Sequence, residues 1–195
     1  MPARCFLAIR LTRPVLHALR AAREAFLDPA PAWAREKWVR PELLHVTLKF
    51  LGPLPDEQVG PALEALARAC EGLPRPVLRL AGVRAVPAPG RATMLWATFD
   101  DPDGVAARLA GAVDEMLAAE FGVPVDTRRF MPHATLVRAR RPRPMPPAAL
   151  AAAQAVLESV SEQDRIVSVP CFTLCSSTLG PGGPTYDDVG EVGLD

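Results

Sequence analysis

Short runs of alternating apolar and polar residues, separated by longer runs with helical spacing, organise this chain of 195 residues. Residues 4–11 (RCFLAIRL) read as a strand, too short for a helix. Residues 14–27 (PVLHALRAAREAFL) predict a helix, with Pro14 in the first turn, where a missing N–H costs nothing. Within residues 38–51, Leu44, Val46, Leu48 and Phe50 alternate with His45, Thr47 and Lys49. That pattern predicts a half-buried strand whose polar face turns outward or into a cleft. Gly52-Pro53 and Pro55 end it, and Asp56 can cap a helix running to about residue 70.

Two further strands are expected over residues 77–86 and 92–99, joined by a Pro/Gly turn at 87–90. Residues 103–120 predict a long amphipathic helix, with Asp100, Asp101 and Asp103 near its positive end. Residues 125–138 read as a strand, 139–147 as a basic, Pro-rich loop, and 148–159 as a helix. A strand over 167–176, a turn at 180–183 and a short last strand from about Thr185 and Tyr186 complete the chain. The expected class is α+β: one domain of residues 1–195 in two pseudo-symmetric lobes, with antiparallel sheets facing a central cleft and helices outside.

The chemistry sits in a repeated pattern. His45-Val46-Thr47-Leu48 and His133-Ala134-Thr135-Leu136 share the form His-x-Thr-apolar and use two of the three histidines, 88 residues apart. On a strand, residues two apart share a face, so each copy offers an imidazole and a hydroxyl to one surface. Two imidazoles titrating near neutral pH can serve as base and acid together. Two hydroxyls can donate to an oxyanion held between them. These parts suit in-line phosphoryl chemistry without a metal. His17 has no Thr partner and reads as structural or surface.

Composition narrows the setting. Hydrophobic residues make up 49% and charged residues 23%, ordinary for a globular protein. Net charge is zero, so any attraction for nucleic acid must be local. Arg128, Arg129, Arg138, Arg140, Arg141 and Arg143 crowd the second motif and are equally readable as a solvated loop or as phosphate contacts. No targeting segment or membrane-length apolar run is visible. Cys5, Cys70, Cys171 and Cys175 lack CxxC spacing and read as reduced thiols of a cytoplasmic protein. No His/Asp/Glu cluster accompanies the motif histidines, so no metal and no cofactor are expected.

With these residues in hand, the chain resembles the 2H phosphoesterase superfamily, and within it the RNA 2′,3′-cyclic phosphodiesterases first described as 2′-5′ RNA ligases. The similarity covers nearly the whole chain. It rests on the opening RCFLAIRL strand, the run WVRPELLHVTLKFLG at 38–52, FMPHATLVR at 130–138, LCSS at 174–177 and GGPTY at 182–186. The resemblance implies a bilobal fold with both motifs across a groove, and hydrolysis of an RNA 2′,3′-cyclic phosphate to a 2′-phosphomonoester. It makes His45 the proton donor to the leaving O3′ and His133 the acceptor that activates water. Thr47 and Thr135 would hold the non-bridging oxygens, and Arg138 would help neutralise the phosphate. The implied partner is an RNA with such an end, or a cyclic nucleotide, met by a monomer with no membrane attachment.

One residue runs against the pattern. On a regular strand Arg138 has the opposite parity to His133 and should face away from the groove, unless a bulge intervenes. Phe6, Trp38, Phe130 and Tyr186 are available to stack on a terminal base, although most aromatics in such strands belong to the core. The same histidines would serve a 2′-5′ RNA ligase, which uses a 5′-hydroxyl in place of water. Other readings are a related activity on small cyclic or 2′-5′ substrates, or a non-catalytic RNA-end binder, although binding alone needs no paired acid and base.

Overall fold

Proline and glycine punctuate the chain into elements that a computed structural model describes for residues 3–180 and 183–194. In order these are β1 (Ala3–Arg10), α1 (Arg13–Leu27), β2 (Lys37–Trp38), β3 (His45–Leu54), α2 (Asp56–Cys70), β4 (Val77–Val86) and β5 (Ala92–Asp100). There follow α3 (Val105–Phe121), β6 (His133–Arg143), α4 (Pro147–Ser159), β7 (Ile166–Ser168), β8 (Cys171–Gly180) and β9 (Gly183–Gly193). Two antiparallel sheets result, one ordered β3-β1-β8-β9 and the other β2-β6-β5-β4-β7. Helices pack outside them: α1 lies against α4, and α2 against α3. The first motif strand, β3, is at an edge of the first sheet, and the second, β6, lies inside the other.

Alternation along β1 separates two apolar regions. Leu7 and Ile9 enter the main core, which also takes Val46 and Leu48 of β3 and Ala134, Leu136 and Val137 of β6. Phe6 and Ala8, on the opposite face, join Cys175 and Tyr186 in a small separate cluster. That cluster forms a floor under the groove face of the first sheet.

Several boundaries differ from the sequence expectation. The strand expected from residue 38 is broken at Pro41: a 3-10 turn spans Pro41–Leu43 and β3 begins only at His45. Residues 122–132 are irregular and β6 starts at His133. The expected basic loop is partly strand, because β6 continues through residues 139–143. Pro170 splits the 167–176 run into β7 and β8, and the last strand is long rather than short. The expected turn at 180–183 falls partly on residues 181 and 182, outside the described residues. Helix α3 starts at Val105, where Asp101 accepts hydrogen bonds from the amides of Ala106 (3.2 Å) and Ala107 (2.9 Å).

The most consequential difference is a bulge in each motif strand. Ala8 pairs with Thr47 but Leu7 with Lys49, so Leu48 is the extra residue in β3. Trp96 pairs with Thr135 but Leu95 with Val137, so Leu136 is the extra residue in β6. Each bulge makes two consecutive residues point inward, Leu48-Lys49 and Leu136-Val137, and reverses the alternation beyond them. Phe50 and Arg138 therefore return to the face of the motif side chains.

The first bulge buries a charge. Lys49 is only 4% exposed and is ion-paired with Asp114 of α3. Its Nζ also donates to Pro124 O (2.9 Å) and to Asp126 Oδ2 (3.1 Å). Asp114 Oδ2 in turn accepts from the Asp126 amide at 2.8 Å. A buried ammonium with this many acceptors is compensated. The cluster also ties β3 to the irregular segment that leads into β6.

Candidate catalytic groove

Antiparallel register places the site side chains row by row. On the first sheet His45 lies opposite Arg10, Thr47 opposite Ala8, and Phe50 opposite Phe6. On the second, His133 lies opposite Thr98, Thr135 opposite Trp96, and Arg138 opposite both Met94 and Lys37. Strands β3 and β6 approach one another between the sheets, so both His-x-Thr pairs and Arg138 are brought together.

Both imidazoles are held in the same way. A carbonyl oxygen can only accept, so each ring carries its proton on Nδ1. His45 Nδ1–H donates to Leu43 O at 2.7 Å, and His133 Nδ1–H donates to Met131 O at 2.8 Å. Each acceptor is the carbonyl two residues before its histidine. Each ring also stacks on an aromatic from the neighbouring strand: His45 on Phe6 (centroids 4.8 Å, 27°) and His133 on Trp96 (3.8 Å, 25°). Tyr186 adds an edge contact to His45 at 5.4 Å. With Nδ1 pinned, Nε2 is left on each ring to exchange protons with a ligand.

The electrostatics follow from burial and nearby cations. Burial pushes the pKa of His45 down, the Leu43 carbonyl opposes this, and Arg10, Arg138 and His133 push it down further. His133 is also lowered, first by burial and then by Arg138, against the support of the Met131 carbonyl. Burial raises the pKa of Tyr186, with Arg138 opposing. Charges on β3, β6 and β9 thus act on one another across the groove.

The groups that would meet a phosphate have no competing partner among the described residues. The hydroxyls of Thr47 and Thr135 make no protein hydrogen bond there, and both residues are half-buried. Exposed Arg138 rests on Met94 (Nη1 to Sδ 3.0 Å) and is paired with no carboxylate. Arg10, by contrast, is ion-paired with Asp188. No three His, Cys, Asp or Glu side chains converge as metal ligands among the described residues.

The other candidates separate. His17 is exposed on α1. Trp38 is turned away from the groove, with Nε1 donating to Trp33 O at 2.9 Å and Arg23 over its ring. Phe130 packs against the main core, and Phe6 is buried beneath His45. Sequence reasoning assigned Phe50 to the core and Lys49 to the polar face, and the structure reverses both, with Phe50 66% exposed. Arg84 was also missed: it lies opposite Trp96, one strand further from Thr135, on the groove face of the second sheet. Arg138, a charged residue in a slot that strict alternation from His133 makes apolar, was the one available signal for the second bulge, and the first left none.

Two antiparallel sheets, each contributing one His-x-Thr strand to a shared groove, define the 2H phosphoesterase class. The comparisons agree. Residues 12–96 match the family model described as LigT like Phosphoesterase. The chain is 32% identical over 188 residues to the RNA 2′,3′-cyclic phosphodiesterase of Thermus thermophilus, covering 94% of this chain and 86% of that one. It is 34% identical over 154 residues to the protein of the same name from Archaeoglobus fulgidus, covering 78% and 81%. The apo crystal structure of Escherichia coli LigT superposes with a TM-score of 0.71 at 26% identity, over 99% of this chain and 98% of that one. The chain belongs to the LigT-like, RNA 2′,3′-cyclic phosphodiesterase family of 2H phosphoesterases.

Proposed function

We propose that this groove hydrolyses the 2′,3′-cyclic phosphate at the end of an RNA to a 2′-phosphomonoester, the chain acting as one unit of two lobes. The observation that carries the proposal is the pair of imidazoles on facing strands, each pinned through Nδ1 with Nε2 left over. The names of the relatives support the same substrate class.

Water attacks phosphorus opposite O3′. His133 Nε2 takes the water proton as the new P–O bond forms, and His45 Nε2–H gives a proton to O3′ as the P–O3′ bond breaks. Thr47, Thr135 and Arg138 stabilise the charge on the non-bridging oxygens. The exposed Phe50 ring, on the same face as His45 and Thr47, is the surface on which the terminal base stacks. A strained five-membered ester asks for positioning, proton transfer and charge stabilisation, and the chain supplies all three from its own side chains.

The test is a short RNA ending in 2′,3′-cyclic phosphate, incubated with the protein in EDTA and analysed for the chemistry of its end. A 2′-phosphate product is expected. A 3′-phosphate product, or turnover that appears only on adding a divalent ion, would contradict the assignment.

A further inference from the structure

In a chain of zero net charge, residues 35–40 and 138–143 hold seven cations and a single carboxylate, Glu36. The structure brings these two segments together. Strand β2 pairs with β6 so that Lys37 lies directly opposite Arg138, on the face shared with His133 and Thr135. The extension of β6 beyond the groove, expected from sequence to be a loop, is fixed by Glu36. Its carboxylate accepts from the Arg140 amide at 2.9 Å and from Arg143 Nη1 at 2.7 Å. These bonds hold the Glu36 pKa below its ordinary value, the Arg140 amide contributing most.

Glu36 is thereby fully engaged in shaping the ribbon and neutralises only Arg143. Arg35, Lys37, Arg40, Arg140 and Arg141 are exposed and none is ion-paired among the described residues. Arg40 also precedes the turn whose Leu43 carbonyl holds His45. The uncompensated charge therefore begins at Arg138, beside the reacting phosphate, and continues away from it along a braced two-stranded edge.

We infer that the β2–β6 ribbon is a track for the phosphates of an RNA strand 5′ to its cyclic end, so that the preferred substrate is an RNA chain and not a cyclic mononucleotide. The inference rests on the hydrolase reading above and extends it to residues outside the groove. Surface guanidinium and ammonium groups on one rigid edge match a polyanion of regular spacing, and such binding is sequence-independent and sensitive to salt.

The test uses wild type and the triple variant Lys37→Glu/Arg140→Glu/Arg141→Glu, with Arg13→Glu/Arg20→Glu/Arg108→Glu on the outer helices as a charge-matched control. Turnover of 2′,3′-cyclic AMP is compared with that of RNAs of increasing length ending in 2′,3′-cyclic phosphate. Wild type is expected to gain kcat/KM with length. The triple variant should lose that gain, falling at least about tenfold on the longest RNA, while keeping its mononucleotide rate. In parallel, the affinity for a 2′-phosphate-ended RNA is followed against salt by fluorescence anisotropy. Each phosphate contact to a single strand adds about 0.7 to the slope, so three lost contacts should lower it by about 2.

An unchanged salt slope in the triple variant overturns the track, as does an equal loss in the control variant. A loss that extends equally to the mononucleotide does so too. If wild type turns over neither substrate, the hydrolase reading fails, and the salt slopes still decide whether the ribbon binds RNA. A milder Arg140→Gln/Arg141→Gln variant, checked by thermal melting, guards against misfolding.

Discussion

Both motif histidines are held below their ordinary pKa although each donates from Nδ1 to a carbonyl, because burial outweighs that support and the surrounding cations add to burial. In the free protein both rings therefore favour the neutral state near pH 7, which suits a base and disfavours an acid. A bound phosphodiester brings a negative charge that favours the imidazolium. The expected outcome is a kcat/KM optimum on the acid side of pH 6.5 and a kcat optimum at higher pH, the apparent values belonging to the coupled pair. Coincident optima would show that substrate charge does not set the acid. The Phe50 ring makes a separate prediction. Stacking of one base is worth about 1–3 kcal/mol, so Phe50→Ala should raise KM by roughly tenfold, with kcat much less affected. A loss confined to kcat would place that ring elsewhere than under the base.

At the scale of elements, much of the architecture was legible and the decisive detail was not. Helical spacing located the four helices, and alternation located the cores of the strands. Pro41 and Pro170 interrupt two of the expected strands, and the apolar runs around them masked both breaks. The bulges were hidden because Leu48-Lys49-Phe50 looks like uninterrupted alternation when its burial is unknown. What turns Lys49 inward is Asp114, distant in sequence, and no local pattern encodes that partnership. For the same reason parity argued against Arg138, and only the extra residue at Leu136 returns it to the groove. The buried pair carries a stability prediction. Breaking it should cost about 3–5 kcal/mol, so Asp114→Ala should be strongly destabilising in urea melts. Asp126 is 59% exposed, and Asp126→Ala should cost about 1 kcal/mol or less. Equal losses would mean that Lys49 is not held mainly by Asp114.

For the molecule as a whole, two sheets in separate lobes each supply the same kit: a histidine pinned to the carbonyl two residues before it, an aromatic beneath the ring, a threonine, and a bulge that turns the fifth residue past the histidine into the groove. The repetition of His-x-Thr was plain in the sequence, but the shared scaffold around it was not, since Phe6 and Trp96 come from strands with no common motif. The two copies differ at that fifth position, Phe50 on one side and Arg138 on the other; under the proposed function one lobe would meet the base and the other the phosphate. The central claim is that the two histidines act as one acid–base unit. It is tested most directly by single-turnover rates of folded His45→Ala, His133→Ala and the double variant on an RNA ending in 2′,3′-cyclic phosphate. Each single variant should lose at least about a hundredfold, and the double variant little more than either. A near-normal rate from either single variant would contradict the account.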